Sequence, residues 1–180
     1  MTALLSLTQA FGDRLEREDW LLPTLARFLF AAVLLVYFMK AGLTKLGDGF
    51  AGLWTPSLGA YAQIFPKAME AAGYDVTALG TYHKIVVLAG TWAELILPVL
   101  IVLGLFTRLA ALGMIVFVIV QSLTDVFGLG LSAELGGWFD GAPGALILDQ
   151  RGLWVLLFAV LVFKGAGPLS IDQALRVKRD

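Results

Sequence analysis

The chain has 180 residues, of which 59% are hydrophobic and 15% charged, whereas soluble domains average about a quarter charged residues. Its net charge of −1 excludes the basic surface of a nucleic-acid-binding protein. The absence of cysteine excludes disulfides, thiol relays, iron–sulfur clusters and thiolate metal sites. With a mean hydropathy of +0.84, the composition predicts a single-domain integral membrane protein.

The N-terminal segment, residues 1–23, combines the apolar stretch LLSLTQAF with the charged stretch DRLERED. No positively charged region precedes the apolar part, so we do not expect a cleaved signal peptide. The pattern instead predicts an amphipathic helix that lies on the membrane surface.

Four later segments are apolar enough to cross a bilayer, which takes roughly 20 such residues. Only Thr107 and Arg108 separate the second from the third, so these two must form an antiparallel hairpin. The two longer connections, 47–84 and 128–150, carry interfacial aromatic residues, and the first predicts short helices in the membrane interface. The predicted spans run from about Leu25 to Leu43, Ile85 to Phe106 and Leu109 to Phe127, with a fourth around Gly152 to Phe163.

The prediction is therefore an all-α, up-down-up-down bundle of four membrane-spanning helices. Its membrane domain covers residues 24–172, and a basic tail follows at 173–180. Eight Lys and Arg residues fall on the side of the termini and five on the other, which predicts cytoplasmic termini. The eight are Arg14, Arg17, Arg27, Arg108, Lys164, Arg176, Lys178 and Arg179, and the five are Lys40, Lys45, Lys67, Lys84 and Arg151.

Glu94 interrupts the apolar second span. A carboxylate near the centre of a spanning helix costs about 2.5–3.5 kcal/mol on insertion scales, and it is tolerated when it faces the bundle interior and finds a partner. If Arg108 lay on the same helix as Glu94, the rise per residue would place it about 21 Å away, too far to pair. The partner must therefore come from another helix. Lys40 and Gln121 are the leading candidates, and we expect Lys45 and Lys164 to extend their charged ends to the membrane surface.

Each of three spans offers one polar stripe at helical spacing. If all three turn inward, they form a polar cluster in the outer half of the bundle, together with Arg151 at the start of the fourth span. Such a cluster is either a functional site or a structural tie between helices, and the residues alone leave both open. The stripes are Tyr37, Lys40 and Thr44 on the first span, His83, Thr91 and Glu94 on the second, and Gln121, Thr124 and Asp125 on the third.

His83 is the only histidine, and its place at the expected membrane edge favours an interfacial residue over a ligand or proton carrier. One histidine cannot supply two axial haem ligands. We therefore predict no haem, no iron–sulfur cluster and no tightly held transition metal. Arg108 is expected to cap a helix end in contact with lipid phosphates.

Three stretches, LARFLFAAVLLVYFMKAGLTKLGD, AELILPVLIVLGLFTRLAALGM and GPLSIDQAL, together resemble the DoxX family of small bacterial four-helix membrane proteins. The resemblance extends over all four spans and rests on the order and spacing of several short motifs. Its matching positions are Arg27, Gly42, Lys45, Leu46, Glu94, Gly104, Leu105, Thr107, Arg108, Gly167, Pro168, Ser170 and Asp172.

The resemblance implies a bacterial inner-membrane protein linked to quinone-dependent sulfur oxidation or to oxidative, thiol or metal stress. Any redox step in a chain without cysteine needs a quinone, a partner redox or periplasmic protein, or both. If the chain is an enzyme, it is a quinone-linked oxidoreductase subunit acting with a partner; a homo-oligomer is compatible with the sequence.

Three hypotheses about function follow. In the first, the polar cluster lines a quinone- or small-molecule-sized pocket in a redox or stress-response subunit. In the second, Glu94 and Lys40 form the proton- or ion-linked site of a small transporter. In the third, the protein is an assembly or anchoring factor, and the cluster only holds helices together.

Overall fold

The computed structural model describes Ser6, Gln9, Gly12, Asp13 and residues 19–177. Within these residues every regular element is helical, and four helices are long and apolar enough to cross a membrane, which confirms the predicted fold class. The helices are α1 (Leu21–Lys45), α2 (Leu58–Ile64), α3 (Pro66–Ala71), α4 (Thr81–Leu103), α5 (Thr107–Gly128), α6 (Leu146–Lys164) and α7 (Ile171–Val177).

The spans α1, α4, α5 and α6 pack in a ring, each against the next one along the chain, with α6 returning to α1. Their outer faces are apolar: Phe28, Val33, Leu109 and Leu153 are between 65% and 69% exposed. Soluble proteins rarely expose so much contiguous apolar surface, so the outer face of the bundle belongs in the hydrocarbon of a bilayer.

The buried face of α1 repeats every four residues from Ala26 to Gly42, through Phe30, Leu34 and Phe38. In a regular α-helix a four-residue repeat drifts by about 40° per step, because each residue turns 100°. A wide π turn at Phe30–Leu34 adds one residue to the helix and offsets much of that drift. It keeps this row of side chains directed into the bundle.

The turn between α4 and α5 lies slightly earlier than the sequence predicted. Helix α4 ends at Leu103, and Gly104 follows with a left-handed φ of 66°. Thr107 and Arg108 are the first residues of α5, so the connection is Gly104 to Phe106 rather than Thr107–Arg108. The antiparallel hairpin itself is as predicted.

Helix α6 begins at Leu146, well before the apolar run at 152–163. Asp149 and Arg151 can belong to it because each side chain has a partner. Asp149 accepts a hydrogen bond from the Ala145 amide at 2.9 Å, and Arg151 forms an ion pair with Asp125 on α5 at 2.6 Å.

The first long connection does form short helices, α2 and α3, and they pack on the start of α4. Ala60, Tyr61 and Met69 form a small buried cluster with Val87 of α4. The Trp92 indole donates to the Leu53 carbonyl at 3.1 Å. Most of the predicted N-terminal amphipathic segment lies outside the described residues, as do residues 178–180 of the basic tail.

Candidate functional site

Helices α1 and α4 approach closely at Gly42, which is where the site begins. A Cβ atom at Gly42 would lie 2.7 Å from the Leu95 side chain and 3.2 Å from the Cβ of Glu94. Any larger residue here would force the Leu95 side chain to move, so glycine favours this close approach. Lys45 lies three residues after Gly42, so both occupy the same face of α1, and the lysine is brought against α4.

Lys45 and Glu94 form an ion pair within the bundle. Lys45 Nζ lies 2.7 Å from Glu94 Oε2, and the two side chains are 7% and 3% exposed. The ammonium also donates to the Ala41 carbonyl at 3.3 Å. An ammonium has three N–H donors, so one remains free after these two bonds. Among the described residues, Glu94 accepts a hydrogen bond only at Oε2, so its Oε1 is also free.

The structure agrees with the prediction that Glu94 is buried with a partner from another helix, but the partner is neither Lys40 nor Gln121. Lys40 is exposed, because it lies two residues from both Phe38 and Gly42 and therefore on the opposite face of α1. The expectation that Lys45 reaches for the membrane surface was also wrong.

A groove of about 920 Å³ runs between α4 and α5, with the Lys45–Glu94 pair in its wall. Its rim carries exposed apolar side chains, including Leu109, Leu112 and Val116, so it opens toward the lipid side of the bundle. Its polar lining residues are Lys45, Gln63, Glu94, Gln121, Thr124 and Asp125.

Gln121 and Asp125 connect the groove to a second set of polar contacts. The Gln121 amide donates to the Tyr37 hydroxyl at 3.3 Å, and its own Oε1 is buried with no hydrogen-bond partner among the described residues. Asp125 accepts from Arg151, whose other terminal nitrogen donates to Ser122 Oγ at 3.1 Å. The sequence named Gln121, Asp125 and Arg151 as candidates but did not pair them.

Two other predicted site residues lie apart from the groove. Thr91 is buried, but its hydroxyl donates to the Val87 carbonyl of its own helix at 2.8 Å. His83 packs edge-on against the Phe65 ring, with 4.7 Å between ring centroids. Of the seven predicted site residues, the groove brings together Glu94, Gln121 and Asp125 and adds Lys45.

The opposite end of the bundle, here called the turn end, is organised by Arg27. Its guanidinium donates to the carbonyls of Ile101 and Val102 at the end of α4, at 2.9 and 2.5 Å. It also donates to Ala166 and Leu169 after α6, at 3.0 and 2.5 Å. The last carbonyls of a helix lack partners within that helix, and a cation is favourable there. Arg27 thus joins three segments through the backbone.

Asp172 caps α5 from the other side of the turn end. Its carboxylate accepts hydrogen bonds from the amides of Phe106 and Thr107 at 2.8 and 3.0 Å, and its own amide donates to the Gly104 carbonyl at 2.8 Å. Burial acts to raise the pKa of Asp172, but the hydrogen bonds from Thr107 and Phe106, together with the positive charge of Arg176, outweigh it, so its pKa lies below the ordinary value.

Gly104 is required at the turn end for two reasons. Its φ is positive, and a Cβ atom there would lie 2.5 Å from the Cβ of Ser170 and 2.9 Å from Cζ of Arg27. The motif positions Arg27, Ser170 and Asp172 therefore meet around Gly104. Arg108, by contrast, is exposed.

The groove fits the polar head and apolar tail of a quinone, the cofactor that the resemblance implies. Its volume lies within the roughly 300–1,000 Å³ of small-molecule sites. A carbonyl head needs a donor, which Lys45 offers, and its reduced form needs acceptors, which Glu94 Oε1 and the unpartnered Oε1 of Gln121 offer. No group of three His, Asp or Glu side chains suited to a metal ion occurs among the described residues; the absence of a metal stays a prediction.

The family comparison agrees with the resemblance seen in the motifs. No curated protein and no solved structure matches the chain. The DoxX family model matches residues 22–124, which covers α1, α4 and most of α5 and ends before α6. Because the match spans more than half of the chain and includes the Gly42–Lys45 and Glu94 positions, the chain belongs to the DoxX family.

Proposed function

We propose that this protein is a subunit or accessory of a redox or stress-response system, and that its groove takes up a quinone-type amphiphile from the bilayer. The observation that carries the proposal is the Lys45–Glu94 pair in the wall of an otherwise largely apolar groove. The proposed setting is a bacterial inner membrane with both termini cytoplasmic, supported by the Lys and Arg distribution.

The side chains have separate roles in this proposal. Lys45 donates to an oxygen of the bound head, while Glu94 and Gln121 accept from its hydroxyl form. Glu94 also holds the ammonium in place, since the two groups are 2.7 Å apart. The apolar walls accommodate the tail and exclude water, which strengthens these polar contacts.

A quinone, when bound, supplies two-electron redox chemistry that the side chains of this chain lack. Because the chain has no cysteine, the electrons come from a partner redox or periplasmic protein. The role of this chain is to bind and orient the amphiphile at a fixed depth in the membrane.

A second candidate function is a non-catalytic assembly or anchoring factor. It is favoured by the direct ion pair between Lys45 on α1 and Glu94 on α4. Both groups are almost fully buried, as expected of a tie between helices. A transporter built on Glu94 and Lys40 has less support, because Lys40 is exposed on the other face of α1.

The test is photolabelling of the detergent-purified full chain with a photoreactive benzoquinone that carries an isoprenoid tail. Ala89 is exposed and lines the groove, so Ala89→Phe fills the groove without touching the ion pair. We expect label on α4 and α5 and at least a fivefold loss in Ala89→Phe. Ala32→Phe, at an exposed position of α1 away from the groove, is the matched control.

A second probe carries the same tail without the quinone head. The proposal predicts weaker labelling by this probe, because it cannot engage Lys45 and Glu94. Equal labelling by the two probes, or equal labelling of Ala89→Phe and Ala32→Phe, would refute quinone binding in the groove.

A further inference from the structure

The turn end carries a second cavity, of about 720 Å³, between the start of α5, the end of α6 and α7. Three cations line it: Arg108, Lys164 and Arg176. Gly165 lies beside the first of them: a Cβ atom there would be in ordinary van der Waals contact with Nε of Arg108, at 3.4 Å. This cavity shares only Leu109 with the groove between α4 and α5.

The carboxylates in this cavity leave two guanidinium groups without an ion pair. Asp172 accepts from two backbone amides, and Asp19 pairs with Lys164 at 2.6 Å. Neither Arg108 nor Arg176 forms an ion pair with any carboxylate in the part of the chain that the structure describes. The Asp172 charge acts on Arg176, but neither guanidinium donates to a carboxylate among the described residues. Both guanidinium groups therefore keep donors suited to bidentate phosphate binding.

The cavity lies at one end of the membrane-spanning helices. It sits where α5 begins at Thr107 and α6 ends at Lys164, and the aromatic side chains of Trp20 and Phe106 line it. Tryptophan is enriched at membrane–water interfaces. Leu109 and Leu175 also line it and are 69% and 53% exposed, so acyl chains have an apolar path away from the cations.

We infer that this cavity is a binding site for the headgroup of an anionic phospholipid in the leaflet next to the turn end. Arg108 and Arg176 hold the phosphate, and Leu109 and Leu175 contact the acyl chains. A free phosphate ion would use the same guanidinium groups but would gain nothing from the apolar rim. Basic pockets between spanning helices bind anionic headgroups in this way.

The test is native mass spectrometry of the full chain in detergent, with phosphatidylglycerol or phosphatidylcholine of identical acyl chains. We expect at least fivefold more phosphatidylglycerol adduct, and loss of that preference in the Arg108→Gln/Arg176→Gln double variant. Lys84→Gln, an exposed lysine at the start of α4, is the matched control and should keep it. Arg176→Gln alone should halve the preference or more, and provides the test if the double variant does not fold.

Three results would overturn the inference. The first is equal retention of the two lipids by the unmodified chain. The second is an unchanged preference in the arginine variants, or the same loss in Lys84→Gln. The third is displacement of phosphatidylglycerol by millimolar inorganic phosphate, which would identify a soluble anion as the ligand.

Discussion

The two ends of the bundle hold charged side chains in different ways. At the turn end, Arg27 and Asp172 bond to backbone carbonyls and amides, and these bonds fix where helices begin and end. In the other half, Glu94 bonds to a side chain, Lys45, in the wall of an open groove. A charged group whose hydrogen bonds all go to the backbone stabilises the fold. A charged group that pairs with a side chain beside a groove can also bind a ligand there.

The largest expected effect is at the turn end. Arg27→Ala removes four hydrogen bonds from one guanidinium, including the one to the Val102 carbonyl at the end of α4. Bonds to charged groups contribute about 1.5–3 kcal/mol each and are not additive, so we expect a loss of about 3–5 kcal/mol in the free energy of unfolding. The measurement is SDS titration of the detergent-purified protein.

Arg108→Ala is the control for this prediction, because that exposed guanidinium at the same end forms no ion pair with a described residue. Exposed positions usually change stability by less than about 0.5 kcal/mol. Equal losses in Arg27→Ala and Arg108→Ala would contradict the structural role given to Arg27.

The next effect concerns the groove. Lys45→Met removes one partner of a buried pair and should cost about 3 kcal/mol, because it leaves Glu94 without its counter-ion. The Lys45→Met/Glu94→Met double variant replaces both charges with apolar groups of similar size and should unfold within about 1 kcal/mol of the unmodified protein. SDS titration of both variants measures the difference. A double variant no more stable than the single one would show that the two charges do not act as a pair.

The smallest effect is at the Asp172 cap. Asp172→Asn should lower stability by about 1 kcal/mol, as for other lost caps. Because the pKa of Asp172 is lowered in the folded protein, the carboxylate stabilises the fold above the ordinary value of 3.8, and that contribution disappears as the pH falls below 3.8. Thermal unfolding from neutral to acidic pH should show the two proteins converging in acid. A difference that grows in acid would contradict the lowered pKa.

The sequence was sufficient to predict the fold because the signals for spans are long and compositional. Four apolar runs, a short hairpin turn and one intramembrane carboxylate determined the bundle and the burial of Glu94. The sequence was not sufficient to identify Lys45 as the partner of Glu94, because a polar stripe on a helix does not show whether that face points into the bundle. The available signal was the spacing of Gly42 and Lys45, since a glycine that admits a neighbouring helix marks the inward face.

The contacts across the bundle could not be predicted for a related reason. Arg151 pairs with Asp125 because α6 begins at Leu146, before its apolar run. The end of α5 and the start of α6, which lie side by side there, both contain a π turn. The roles of Arg27 and Asp172 depend on a loop that follows α6 and returns to the α4–α5 turn. Periodicity within one helix contains no information about such contacts between distant segments.

The central claim is that the Lys45–Glu94 pair binds a ligand as well as joining α1 to α4. The most direct test is the dissociation constant of a water-soluble quinone analogue, measured per folded molecule for Glu94→Gln and for Glu70→Gln, an exposed glutamate on α3. The claim predicts at least tenfold weaker binding for Glu94→Gln and unchanged binding for Glu70→Gln. Unchanged binding in Glu94→Gln, with only its stability reduced, would contradict the claim and leave the pair as a tie between helices.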